Sequence, residues 1–355
     1  MDPVSQIFKP DMGDTILRWE AYWQGEILDR PLVWVTAPAE GFEVRQQTNG
    51  YRERVFGDID EIIDKSLDSA SRTVWGGESS PSFWPSFGPD EITVFCGTEF
   101  RWHEGSGDTN WAQPFVEDWA ESLPLQIQEE HPLWLRMQEL CRRAAEKLAG
   151  KMPVGSIDLH TNMDILMSAR GSQKLCADLI DQPEMIDRAM TDARAIFPVV
   201  WHRLAKLAKM DERGYGCCGF SRDGSASLCC DFSCMISPAM FRRWVMPALE
   251  EEASIVKHAF YHWDGPRALV HGNDLLASEG LHTFSFVPDP GYKHSDCLPL
   301  LKRVQAAGKA VQFVGTVDEV KMAHRELRPD KAAYWTSVGK RSEIEALLEW
   351  FRRNT

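Results

Sequence analysis

No run of 18 apolar residues occurs in this chain, so no membrane-spanning helix is expected. The opening Met1-Asp2-Pro3-Val4-Ser5-Gln6 lacks a basic segment leading into an apolar one, so no secretory leader is expected either. None of the nine cysteines stands in a CxxC spacing, and nine is an odd number. That reads as free thiols in a reducing cytoplasm. Positive charge is scarce: 39 Lys and Arg face 53 Asp and Glu, a net charge of −14. Such a chain repels nucleic acids and anionic membrane surfaces. No linker or low-complexity stretch interrupts it, and residues 1–355 read as one domain.

What is present is a sizeable core, with 43% hydrophobic residues, and fourteen tryptophans. Five of these (Trp75, Trp84, Trp102, Trp111 and Trp119) fall in a stretch rich in Gly, Ser and Pro over residues 75–125. A long irregular region in a compact domain usually serves function, and this one is expected to cap the active-site face. A strand is expected within it at Ile92–Cys96. Helices are expected over 14–25 and 58–74, with a buried strand at 31–36 between them.

From residue 133 the pattern becomes regular. Helical stripes cover 133–149, 163–181 and 184–208, and strands are expected at 154–158, 214–219 and 227–231. Ser237-Pro238 opens a helix, with Ser as cap and Pro in the first turn, and Pro247 is expected to kink it. Strands at 259–263, 282–287, 310–315 and 333–338 then alternate with helices near 266–278, 296–307, 318–327 and 341–353. This alternation implies a parallel sheet, and about eight units imply a closed (β/α)8 TIM-type barrel.

In such a barrel the chemistry gathers at the C-terminal ends of the strands. Those ends carry Asp158 and His160, Asp231 and Cys234, His262 and Asp264, and Asp289. His262 and Asp264 are two apart and share a strand face. An imidazole beside a carboxylate suits a metal, or an acid with its orienter. Cys229-Cys230-Asp231-Phe232-Ser233-Cys234 packs three thiols and a carboxylate into six residues. Alternation puts Cys229 and Asp231 on one side and Cys230 on the other. Cys234, beyond the strand, is the favoured thiolate, so the expected metal set is His262, Asp264 and Cys234, with Cys230 or Asp231 as alternatives for the third place. Zinc accepts such a mixed set. Arg170 is a candidate clamp for a substrate carboxylate, and Trp84, Trp102 and Trp111 are candidate pocket walls.

Two apparent motifs carry little. Gly214 to Gly219 spells GxGxxG, but more strand and loop follows it instead of a helix. Asp158-Leu159-His160 matches the start of a corrinoid-binding DxHxxG loop, but Met163 stands at the glycine position.

Several segments in order resemble the uroporphyrinogen decarboxylase superfamily. Glu26 to Pro31 is similar to its opening G-E-x-x-D-R-P, and Ser237-Pro238-Ala239-Met240-Phe241 followed by Pro247 is similar to its SP-x-x-F…P helix. His262-Trp263-Asp264-Gly265 stands where the family has H-x-C-G, and Arg170-Gly171 with Pro183-Glu184 resembles its x-G…x-PE stretch. The resemblance spans nearly the whole chain. It implies a (β/α)8 barrel and either porphyrinogen decarboxylation or zinc-dependent methyl transfer to or from a corrinoid protein. The arginine-rich R-Q-A-G-R segment of the decarboxylases is missing; Ala37-Pro38-Ala39-Glu40-Gly41 stands there, followed by Glu43 and a single Arg45. Porphyrinogen decarboxylation is therefore not expected. In the methyltransferases a His-x-Cys pair and a later Cys hold zinc, and here Asp264 replaces the first thiolate, which favours Lewis-acid chemistry.

The expected function is methyl transfer from a small O- or N-methylated compound to a separate corrinoid protein, assisted by a divalent metal. Asp158 or His160 would be the acid, with Asp231 beside them. Lyase or decarboxylase chemistry on a small polar substrate, and a barrel that binds without catalysing, remain alternatives. The expected partners are a small-molecule substrate, a corrinoid protein and, as an alternative to a monomer, a second copy of the chain.

Overall fold

The fold comes from a computed structural model that describes residues 6–42, 50–103, 105, 108–216, 218–289 and 291–355. Glu43, Arg45, Cys217 and a few positions of the 75–125 stretch lie outside the described residues. Seven strands form the central sheet: β1 (Leu32–Pro38), β2 (Thr73–Gly77), β3 (Ser225–Leu228), β4 (His258–Asp264), β5 (Leu281–Val287), β6 (Ala310–Val314) and β7 (Ala332–Ser337). Their order is β2-β1-β7-β6-β5-β4-β3, and every pairing except β1 with β2 is parallel. The cause lies in the connections. Helices Met246–Val256, Gly272–Ala277, Leu298–Ala306 and Val317–Glu326 separate successive strands from β3 to β7, Arg341–Asn354 follows the last, and crossover helices return the chain in the same direction.

The hydrogen-bonded sheet ends at β2 and β3. Residues 153–160 run extended across the space between them. On one side the Phe83 N–H donates to the Pro153 carbonyl at 2.9 Å, and the Gly155 N–H donates to the Phe83 carbonyl at 2.7 Å. On the other side the Cys229 thiol reaches the Leu159 carbonyl at 3.5 Å. The segment expected as a strand at 154–158 is therefore extended but makes a single bridge, Phe83 with Val154.

Other expectations also change. Ile92–Cys96 is not a strand: Glu91–Phe95 is a short buried helix. Residues 214–219 form only a two-residue hairpin with Phe220–Ser221. The helix expected over 163–181 breaks at Gly171, whose φ of +87° no helix accommodates. The Ser237 hydroxyl caps its helix by accepting from the Met240 N–H. One π turn, Phe241–Val245, precedes Pro247, which falls in the first turn of the helix that continues from Met246. Much of residues 75–125 is packed: Phe83, Phe87, Ile92 and Phe95 are fully buried.

Helix α1 (Met12–Trp23) closes the opposite end. Met12, Ile16 and Trp19 recur at helical spacing and, with Tyr22, pack on Leu32, Phe260, Ala310 and Ala333, near the starts of their strands. His282, at the start of β5, lies edge-on to Trp23 at 4.9 Å. Burial, then the nearby His258, pushes its pKa down to about 4. The folded protein thus refuses a proton that the unfolded chain accepts, and this contribution to stability is whole above about pH 6.5 and lost as pH falls toward 4. The window is worth at most ~3 kcal/mol. As pH falls from 6.5 to 4 the urea midpoint of His282→Leu should gain on that of wild type; a constant difference between the two would show that His282 is not responsible. Among the described residues no helix is long and apolar enough to cross a membrane.

Candidate active site

Polar side chains meet in a cavity of about 520 Å³ toward the C-terminal ends of the strands. Trp34 and Thr36 reach it from one face of β1, two residues apart as the pleat requires. Trp75 comes from β2, and Ser80, Ser82 and Trp84 come from the chain that follows it. Asp158 and His160 enter from the extended segment, Cys229 from just past β3 and His262 from β4. No Lys or Arg is among the described residues lining the cavity.

At its floor the His160 Nε2 lies 3.7 Å from Asp158 Oδ1 and 3.8 Å from Asp231 Oδ2. Burial alone would lower the pKa of His160, but the carboxylates of Asp158, Asp164, Asp231 and Asp90 outweigh it and raise the value to about 9. This is a place built for positive charge. Burial, set against the pull of His160, raises the pKa of Asp158 above the usual carboxylate range. The Cys229 thiol, buried and ringed by acids, is held well above its ordinary pKa.

Donor atoms of His160, Cys229 and Asp231 all lie within 4.8 Å of one another. The ligand atoms of a tetrahedral zinc site stand roughly 3.3–3.8 Å apart, so a small contraction would suffice. Asp231 Oδ1 is shielded from solvent and has no hydrogen-bond partner. An orphaned carboxylate oxygen is costly to bury, and a cation would satisfy it. The donor set, one imidazole, one thiolate and one carboxylate, fits zinc.

A second layer holds these groups. The buried carboxylate of Asp164 accepts the backbone N–H groups of Asp231 and Phe232, both at 2.9 Å, and so pins the turn that presents Asp231. Burial pushes its pKa up to about 6. Asn162 takes a left-handed backbone, φ +44°, which Asn tolerates better than most residues. Its amide donates to the Cys229 carbonyl at 3.0 Å and lies 3.4 Å from both oxygens of Glu252.

The sequence candidates divide. Asp158, His160, Asp231, His262 and Trp84 come together here. Asp264 and Cys234 are exposed and lie outside the cluster of three. Cys230 is buried, with its sulfur 3.8 Å from Asp164. Arg170 is engaged elsewhere: its guanidinium grips Asp178 at 2.6 Å and the Val116 carbonyl at 3.0 Å. Trp102 packs on Phe56 and Phe100, and Trp111 is 45% exposed; neither lines the cavity. The sequence reading missed Trp34 and Asp164, noted Trp75 without placing it on the pocket wall, and did not bring Cys229 to His160. Alternation already put Cys229 beside Asp231, and that was the available signal.

No family model matches this chain, and no curated protein matches it in sequence. Among solved structures, a methyltransferase from Methanosarcina mazei is similar, with a TM-score of 0.60 over 96% of this chain and 98% of that one. The identity is 14%, so the likeness concerns the fold.

Proposed function

We propose that this chain is a metal-dependent methyltransferase of the uroporphyrinogen decarboxylase superfamily. All 355 residues would form one closed barrel of (β/α)8 type in which β2 runs antiparallel, with residues 153–160 filling the gap in the sheet. It would work in the cytoplasm and move a methyl group from a small O- or N-methylated compound to the corrinoid of a separate protein. The observation that carries this reading is the cluster of His160, Cys229 and Asp231 at the floor of an indole-walled cavity. The ordered motifs and the fold likeness to a methyltransferase support it.

The ligands proposed are His160, Cys229 and Asp231, in place of His262, Asp264 and Cys234. A zinc-type ion held there would supply Lewis acidity toward an ether oxygen, or toward the electron pair that nitrogen gains as its C–N bond breaks. Three protein ligands leave a position open, as catalytic sites require. Asp158, beside His160 and on the cavity wall, has one of two roles. For a leaving oxygen it donates the proton; for a leaving ammonium nitrogen it is the counter-charge. Asp164 and Asn162 orient the ligands. The indoles exclude water from the methyl group. With no Lys or Arg on the described wall, uroporphyrinogen, which carries many carboxylates, should not be decarboxylated.

Elemental analysis and a transfer assay test this. The purified protein should hold near-stoichiometric divalent metal and should methylate added reduced cobalamin, followed by absorbance. Protein that binds neither zinc, manganese nor nickel loses the metal part of the proposal. Metal-loaded protein that moves no methyl group from either ethers or amines loses all of it.

A further inference from the structure

We infer that the methyl donor taken by this cavity is an N-methylated ammonium cation. The inference rests on reading the cavity as the site of methyl transfer, and it narrows the donor class. Three indoles, Trp34, Trp75 and Trp84, stand around one space. Indole faces carry negative charge density and are the best aromatic partners for a cation. Two of these rings are fixed in advance. Trp34 stacks on Trp335 with centroids 5.6 Å apart and planes 8° from parallel. The Trp75 indole N–H donates to the Ala70 carbonyl at 3.1 Å. A wall ordered before binding costs little to order on binding.

Charge points the same way. The carboxylate of Asp158 lines the space, Asp231 stands behind His160, and no Lys or Arg is among the described lining residues. An anionic donor would meet the carboxylates of Asp158 and Asp231, with His160 and the ion proposed beside it as the positive groups within reach. A fully methylated ammonium has no N–H to donate, so aromatic rings and field must recognise it, and indoles and a carboxylate line the cavity. The walls are unequal. The Arg54 guanidinium already lies 5.5 Å from the centroid of Trp84 and weakens that ring as a cation partner. Trp34 and Trp75 therefore carry most of the recognition.

The chemistry balances with this donor. The C–N bond breaks with its electron pair on nitrogen, and a neutral amine leaves. The methyl carbon takes a new pair from the reduced corrinoid of the partner protein. Nitrogen needs no proton in that step, so Asp158 acts as counter-charge.

Calorimetry with tetramethylammonium, choline and 3,3-dimethylbutan-1-ol, the neutral isostere of choline, tests the inference on zinc-loaded and metal-free protein. Choline should bind at least tenfold more tightly than the neutral isostere. Trp34→Leu and Trp75→Leu should each weaken tetramethylammonium about five- to tenfold. Asp158→Asn should weaken both cations and leave the isostere unchanged. If a leucine variant fails to fold, Trp75→Phe, which keeps a poorer aromatic face, should give an intermediate loss. Equal affinity for choline and its isostere, or unaltered cation binding in the tryptophan variants, overturns the inference. Demethylation of neutral ethers without cation binding also overturns it while leaving methyl transfer intact. Cation binding with no methyl transfer removes the transferase reading and overturns the donor assignment with it, leaving a quaternary-ammonium binding cavity.

Discussion

Cys229→Ser should lower the affinity for zinc about a hundredfold, and methyl transfer should fall with it. Cys234→Ser should leave both within about twofold, because an exposed group outside the cluster contributes little. The two thiols lie in one short run of sequence, so the contrast is demanding. Cys229 is 4% exposed, and its sulfur is within 4.8 Å of donor atoms on His160 and Asp231. Cys234 is exposed, at the far end of the turn that starts at Asp231. Serine is close in shape to cysteine and can still donate to the Leu159 carbonyl, so folding should survive. Without metal the Cys229 thiol keeps its proton, since burial and the surrounding carboxylates oppose a second negative charge. Zinc must displace that proton, so binding should tighten as pH rises. Saturation can be read without any activity assay. A ligand at 100 times its dissociation constant stabilises the folded state by about 2.7 kcal/mol. Wild type and Cys234→Ser should show that gain, and Cys229→Ser should not. Equal gains in all three proteins would remove Cys229 from the ligand set.

Glu252→Gln should flatten much of the fall in stability that wild type shows as pH rises. Glu252 lies on helix Met246–Val256, 2% exposed, with Asn162 as its partner. Burial raises its pKa to about 8, against 4.5 for the free side chain. The folded protein therefore keeps a proton that the unfolded chain releases above pH 4.5. Stability from this group is whole below 4.5 and is lost as pH climbs to about 8. Each pH unit in that window is worth roughly 1.4 kcal/mol, so the whole is at most about 4–5 kcal/mol. Glutamine cannot ionise and keeps an acceptor for Asn162. Denaturant midpoints at pH 5 and pH 9 should diverge less in the variant than in wild type. Part of the slope should remain, because burial also raises Glu91 to about 8. Parallel pH dependence in the two proteins would mean that Glu252 is already ionised in the fold.

Periodicity made much of the scaffold legible. The stripe of Met12, Ile16 and Trp19 is a helix that plugs one end of the sheet. The apolar runs from residue 258 onward are parallel strands in register with their neighbours. These follow from local rules: a side chain's face depends on its place in a repeat of 3.6 or 2 residues. Local rules failed where neighbours overrode them. Ile92 to Phe95 has strand composition, but Glu91 ties back to the Phe87 N–H at 2.8 Å and the segment closes as a helix. Arg170 reads as free until Asp178, eight residues on, is seen to occupy it.

The sequence by itself determined the alternation of strands and helices, the acidic character, and which strand ends bear His, Asp and Cys. Only the tertiary structure decided which of those groups meet. His160 and Cys229 are far apart in the chain, on segments whose spacing carries no information about the other. They come together because residues 153–160 lie beside the end of β3, and because Asp164 takes two backbone N–H groups and turns Asp231 back toward His160. Buried donors and acceptors must be satisfied wherever partners can be found, so which of these side chains cluster follows from packing among distant segments. Alternation could pair Cys229 with Asp231 but not with His160, and Cys234, three residues beyond Asp231, was left at the surface.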